Sequence, residues 1–393
     1  MASERVRVLI AGGGVAGLEV MLALHKLAAE LVHVELLAPQ RFFSYKPLAV
    51  LEPFDAGHAH RIELRRLGDE VGATVTPGAL MMIDIERNLA RTSTGDEIPF
   101  DVLVLAQGAL PRPALAGALT FRGPADADAF RALLAELETG SFRRLAFVQP
   151  GAVAWTLPLY ELALLTADHL AQRGIGGAEL IIVTGEGQPL SLFGQTATES
   201  LLSLLEERAI QVLAGREAIG YDGETLTVEP PPPLHAERVV TLPKLEGHPL
   251  EGIPRDPSGF VPVDEFGRVD GLPNVFAAGD CTTFPIKQGG LAAQAADAVA
   301  ETIAAEAGAS IAPTPFHPVL RGLLLTGATP AFLRADLTAS GADAPIVSAQ
   351  PLWWPPAKIV GRYLAPVLAR TLHYGETAPP AGGIPVQVDL SSD

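Results

Sequence analysis

Three glycines near the start of the chain carry the first recognisable chemistry. Gly12, Gly14 and Gly17 read G-x-G-x-x-G, between an apolar strand-type run over residues 6–10 and a helical pattern over residues 18–27. Strand, glycine turn and helix in that order suit the pyrophosphate of a dinucleotide. Gly12 permits the tight turn, Gly14 lets the backbone approach a phosphate, and Gly17 lets the helix pack closely on the strand. Val15 and Ala16 complete the turn where a helix presents free N–H groups and a partial positive charge. The purely structural alternative is a Rossmann-like unit that has lost its nucleotide.

A second corner lies far along the chain. Residues 274–281 read NVFAAGDC, an apolar strand ending in Gly279-Asp280. A carboxylate placed there can accept a hydrogen bond from a polyol hydroxyl. Lys287, Gln288 and Gly289 follow, opening a helix rich in small residues whose N–H groups can approach a flat ligand. A third corner ends the continuous apolar strand FDVLVLAQG at Ala106, Gln107 and Gly108. A strand apolar without interruption suits a parallel sheet covered on both faces.

Other positions read less simply. A strand is predicted over residues 32–37, and the acid that often binds ribose at the end of such a strand falls at Ala38. Glu35 is then a residue of the strand, and Gln40 can offer its amide to the ribose instead. In RFFSYKPLAVLEP, residues 41–53, Lys46 either neutralises a phosphate or is a solvated lysine in a loop packed by its aromatics. A second βαβ pattern starts at residue 144, with QPGAVAWTLP where a glycine turn would stand. Trp155 is bulky there, so NAD(P)H binds in a modified way or the unit is a scaffold. Residues 239–243, VVTLP, are expected to return the chain towards the first unit.

The elements that position these corners fit the bulk properties. The sequence has 393 residues, 48% hydrophobic and 19% charged. It is long for one domain, and the composition is that of a well-buried globular chain. A net charge of −17 argues against nucleic acid as a partner. No leader pattern opens the chain and no apolar run reaches the length of a membrane span, so a cytoplasmic location is expected. Cys281 is the one cysteine, which excludes an internal disulfide, a CxxC redox pair and a cysteine zinc site; no metal ligand set is expected. Residues 351–374 mix Trp353, Trp354 and Tyr363 with Lys358, Arg362 and Arg370. They suit an interfacial membrane contact or a cap packed on the body or on a second copy of the chain in a homodimer.

Over residues 5–305 the chain resembles the FAD-dependent pyridine nucleotide–disulfide oxidoreductase superfamily. Within it, the similarity is to the branch of sulfide:quinone reductase, flavocytochrome c sulfide dehydrogenase and type II NADH dehydrogenase. GGGVAG at 12–17, FFSYKPL at 42–48, LVLAQG at 103–108, and NVFAAGDC with KQGG at 274–290 carry the resemblance. It implies an α/β fold of two Rossmann-like dinucleotide-binding domains and a C-terminal cap region. The FAD-binding domain would be discontinuous, over 1–115 and 244–312; an NAD(P)-binding-like domain with a degraded fingerprint would span 116–243, and the cap 313–393. The Gly12 to Gly17 turn would hold the FAD pyrophosphate, Ala106 to Gly108 would run beside the FAD, and Gly279-Asp280 would meet the ribityl chain. Lys287, Gln288 and Gly289 would lie near the flavin ring, where Lys287 either stabilises a reduced, anionic flavin or faces solvent at a helix start.

The departures are specific. Gln107 replaces the usual threonine, Ala38 the ribose carboxylate, and the redox cysteines are absent. The expected activity is that of an FAD-dependent oxidoreductase passing electrons from a small-molecule donor, with NAD(P)H left open, to a quinone or another small acceptor without a protein disulfide. The alternative is a non-catalytic or weakly FAD-binding protein that retains the fold.

Overall fold

The structure, a computed structural model, describes residues 5–149, 151, 155–338 and 341–372. Its first sheet has five parallel strands, in the order Val275–Ala277, Val102–Leu105, Val6–Ala11, Val32–Ala38 and Thr74–Pro77. The uninterrupted apolar runs have a direct cause. Val8 and Ile10 pack with Leu18 and Met21 of the first helix, Val15–Ala28, whereas Leu9 and Ala11 point the other way onto Leu80, Phe100 and Ile253. Both faces are covered, so alternation has no place in these strands.

Val275–Ala277, Val102–Leu105 and Val6–Ala11 are adjacent and parallel, so their carboxyl ends open at one edge of the sheet. Backbone hydrogen bonds run on into the corners: Ala106 N donates to Ala11 O at 2.9 Å, and Ala278 N to Leu105 O at 3.0 Å. The three chemically marked corners are thereby neighbours. Small residues make the meeting close. A Cβ on Gly279 would stand 3.1 Å from the Cβ atoms of Ala16 and Ala292, on the first helix and on the helix Gly289–Glu306.

The second sheet is also parallel, ordered Leu119–Thr120, Arg238–Thr241, Arg144–Val148, Glu179–Thr184 and Gln211–Ala214. Its helices are Leu157–Gln172 and Gln195–Glu207. Arg238–Thr241 therefore does not lead back to the first unit; it is an inner strand of the second sheet. Val239, Val240 and Thr241 are buried, as a β-branched strand covered on both faces requires. The return comes at Lys244–Glu246, which pairs antiparallel with Leu110–Arg112.

The C-terminal region adds three antiparallel strands, Val319–Leu324, Ala331–Thr338 and Gly341–Ser348. Leu320 and Leu324 pack into the core around the Leu157–Gln172 helix, and Leu323 and Phe332 pack under Trp353 and Val360. A short helix, Leu364–Leu372, closes on the first helix. Trp353 is 1% exposed. Its indole Nε1 donates to Ala357 O at 2.9 Å, and its ring meets Phe332 edge-on at 5.1 Å. It faces the protein and is not free to act as an interfacial anchor; residues 373 and 374 of that segment lie outside the described residues. No helix among the described residues is long and apolar enough to cross a membrane.

Candidate functional site

A cavity of about 780 Å³ opens at the carboxyl ends of the first sheet. That is the size and place of a nucleotide site in an open α/β sheet. Gly12, Gly14, Val15, Ala16, Gln40, Lys46, Ala106, Gln107, Gly108, Gly279, Asp280, Lys287, Gln288 and Gly289 all line it. Gly17 and Ala38 do not. Gly17 sits behind the turn, where a Cβ would stand 1.9 Å from Gly12 O. Ala38 is buried beneath Gly13.

The glycine turn divides its tasks. Gly12 has φ +126°, and a Cβ there would stand 2.2 Å from Ala106 O. Gly14 has no atom within 4 Å of the place its Cβ would take, so its backbone is bare toward the cavity. Gly14 is also the N-cap of the first helix, without a side-chain cap or an acid in the first turn. Unpaired N–H groups at such a terminus favour an anion. Glu35 is engaged inside the sheet, accepting from Thr76 Oγ1 at 2.5 Å. Leu37, Pro39 and Gln40 reach the cavity at the end of the second strand, and Gln40 is the polar one.

The opposite corner is charged. Burial raises the pKa of Asp280, and the nearby Lys287 and Lys46 work against that rise. Lys287 is 9% exposed, donates to Thr282 O and holds Nζ 3.8 Å from the centroid of the Phe260 ring. Burial lowers its pKa, and Asp280 opposes the shift. It does not face solvent: it precedes the helix, which begins at Gly289, and turns in onto Thr282 O and the Phe260 ring. Gln288 caps that helix: its Oε1 accepts from Leu291 N at 2.8 Å while its Nε2 donates to Arg321 O at 3.0 Å. Cys281 lies outside the cavity. Its thiol donates to Leu105 O at 3.2 Å and Ala278 O at 3.3 Å, and burial pushes it up to about 12.

Three charged side chains at or behind the cavity are not placed there by the sequence reading. Arg321 and Lys358 line the cavity from the C-terminal region. Lys358 Nζ pairs with Glu161 at 2.6 and 2.5 Å, and Glu161 is fully buried on the helix Leu157–Gln172. Burial pushes the Glu161 carboxyl up and the Lys358 amine down, and their mutual attraction opposes both. One signal was available: a lone glutamate in LPLYELALLTADHL, a helix apolar on nearly every side, needs a buried partner. The described residues hold no cluster of His, Cys, Asp and Glu fit for a metal.

Two Rossmann-like sheets with one nucleotide-sized cavity at the carboxyl ends of the first define a two-dinucleotide-fold flavoprotein. The chain belongs to the pyridine nucleotide-disulphide oxidoreductase family, whose sequence profile matches residues 6–302. Its fold is similar to the sulfide:quinone oxidoreductase of the hyperthermophilic bacterium Aquifex aeolicus. The TM-score is 0.80 at 19% identity, over 87% of this chain and 86% of that one. It is also similar to putidaredoxin reductase in its covalent complex with putidaredoxin (TM-score 0.63, 16% identity, 84% and 82% covered). A third is the NDH2 of Plasmodium falciparum in complex with NADH (0.58, 17%, 71% and 65%). At these identities the likeness is one of fold. No curated protein sequence matches the chain. FAD is the cofactor of the family, and the residues present fit it: a bare Gly14 backbone for phosphate, and Asp280 in the same cavity.

Proposed function

We propose that this FAD-dependent oxidoreductase passes electrons from a nicotinamide donor through the flavin to a quinone or another small oxidant, with no protein thiol in the path. The observation that carries the reading is one cavity shared by the Gly12–Ala16 turn, Ala106–Gly108, Asp280 and Lys287–Gly289. Cys281 stands apart from that cavity. FAD, when bound, supplies the two-electron chemistry; the protein supplies position and charge. In this reading the backbone at Gly14 and the first helix hold the pyrophosphate, Gln40 meets the adenosine ribose and Asp280 accepts from a ribityl hydroxyl. Lys287 sets a positive charge beside the ring, and Gln288 fixes the helix start behind it. Residues 1–115 and 244–312 would make up the FAD-binding unit, and 116–243 the nicotinamide unit.

Glu186 supports NADH over NADPH. It directly follows the strand Glu179–Thr184 and the glycine after it, where a carboxylate meets ribose hydroxyls and repels a 2′-phosphate. Tyr160 OH donates to it at 2.5 Å, so NADH would have to share or displace that bond. The turn before the helix, residues 150 and 152–154, lies outside the described residues.

The purified protein should show the near-ultraviolet and blue absorbance of an oxidised flavin, released as FAD on denaturation. Anaerobic NADH should bleach it faster than NADPH, and a soluble quinone should restore the colour. A colourless protein that ignores added FAD would leave a non-catalytic retainer of the fold. A yellow protein bleached by neither nucleotide would remove the nicotinamide donor.

A further inference from the structure

Arg321 is a cation to which the proposed function gives no part in holding the flavin or the nicotinamide. It lies on the strand Val319–Leu324, whose register sets it directly opposite Arg334 on Ala331–Thr338. Directly opposed residues of an antiparallel pair share one face of the sheet, and like charges there are destabilising. Arg334 is partly answered: its Nη2 donates to Asp336 at 3.0 Å, while its buried Nε has no partner among the described residues. Arg321's guanidinium has neither hydrogen bond nor ion pair among the described residues; it faces the cavity. Burial lowers its pKa to about 10; Arg334 adds to the effect and the Asp336 carboxylate opposes it.

The other charges lining the cavity have partners or stand exposed. Lys358 is matched by Glu161, Arg122 by Asp126 at 2.5 Å, and Lys287 by Asp280's field and the Phe260 ring. Lys46 is exposed. Asp280 is the acid among the described residues that lines the cavity. An unpaired, largely desolvated guanidinium held against a second one costs stability, and an anion would relieve the cost. The place is set as well. Gln288 ties Arg321 O to the start of the helix Gly289–Glu306, and Ile359, next to Lys358, packs where a Cβ on Gly289 would stand, at 2.8 Å.

We propose that Arg321 is an oxyanion-binding site in the cavity beside the Lys287–Gly289 corner, and that the donor or acceptor turned over there carries a carboxylate or a similar oxyanion. The guanidinium fork can take two oxygens of such a group side by side, a geometry a lysine cannot give. The proposal rests on the flavin reading for what the anion lies next to, and on Arg321 alone for its binding.

Benzoate and benzamide, which share shape and differ in charge, test it by equilibrium dialysis with labelled ligand and by perturbation of the flavin spectrum. Benzoate should bind at least about tenfold more tightly than benzamide, the worth of one charge-assisted hydrogen bond. Arg321→Gln should remove that difference, and Arg321→Lys should restore only part of it. Both variants should keep FAD, and Arg321→Gln should melt no lower than the wild type, since a like-charge pair is gone. Equal binding of the two probes, or benzoate binding untouched by Arg321→Gln, overturns the proposal. Loss of FAD or a weaker affinity for NADH in Arg321→Gln also overturns it, because the guanidinium would then serve a phosphate of either nucleotide. A colourless protein that still prefers benzoate in dialysis sinks the flavin reading and leaves the oxyanion site standing.

Discussion

Gly12 and Gly14 stand two residues apart and answer to different neighbours. Gly12 is held at φ +126° against the Ala106 carbonyl, whereas Gly14 meets only the cavity. Gly12→Ala should therefore destabilise the chain without any ligand, by about 3 kcal/mol or more, through backbone strain and a clash with backbone. Gly14 has φ −88°, which alanine adopts freely. Gly14→Ala should melt like the wild type in apo form and lose at least about tenfold in FAD affinity where its methyl meets the pyrophosphate. Thermal unfolding of apoprotein and titration with FAD separate the two. Both roles are legible in the sequence, because a glycine's conformational demand is local. Arg321 is not legible in this way. Its meaning depends on Arg334, brought opposite by a hairpin, and on a cavity wall built from other parts of the chain.

The C-terminal segment joins both nucleotide-type units through one device used twice. Glu19 is the fifth residue of the helix Val15–Ala28, and Glu161 the fifth of Leu157–Gln172. Each is fully buried, and each receives the segment that follows Trp353. Glu161 takes Lys358, and Glu19 accepts from Tyr363 N at 2.7 Å and Leu364 N at 2.8 Å, capping the last helix. Gly361 is required there, because a Cβ would come within 2.3 Å of Glu19 Oε2. Burial raises the pKa of Glu19 from 4.5 to about 7, against the pull of those backbone donors and a hydrogen bond with Asp297. Asp297 on Gly289–Glu306 is raised too, by burial and by Glu19, with Glu301 adding and Arg362 opposing.

A carboxyl whose pKa is higher folded than unfolded holds its proton more tightly in the folded chain. Its contribution therefore falls as pH rises from 4.5 toward 7 and is level above that. Glu19→Gln should remove this slope. The wild type should lose on the order of 3 kcal/mol relative to the variant between pH 4.5 and 7.5, at about 1.4 kcal/mol for each tenfold difference in proton affinity between the folded and unfolded chain. Urea unfolding midpoints across that range give the comparison, and parallel curves for the two proteins would show that Glu19 titrates normally.

At the scale of the whole molecule, the proposed redox path contains no protein thiol. Cys281 is buried, hydrogen-bonded to two carbonyls and pushed up to about 12, so its thiolate is scarce near neutral pH. Cys281→Ala should keep the rate of flavin reduction and reoxidation within about twofold, with a stability loss of about 1 kcal/mol for the lost packing. Stopped-flow absorbance of the anaerobic protein reads the rates, and a collapse of either rate would put the thiol back into the path.

The sequence determined the three glycine-centred corners, the parallel character of their strands and the absence of a dithiol. These follow from φ, from side-chain periodicity and from composition, all of which are short-range. Arg238–Thr241 shows where that reach ends: its residues say strand, but which sheet takes it is settled by the edge left open beside Arg144–Val148. The same holds for Glu161 and Lys358, 197 residues apart. A buried charge demands a partner, and only the path of the folded chain selects which one arrives. Arg321 left without a partner among the described residues is likewise a product of tertiary structure, since desolvation and an opposing like charge arise only once the sheet has closed over the cavity.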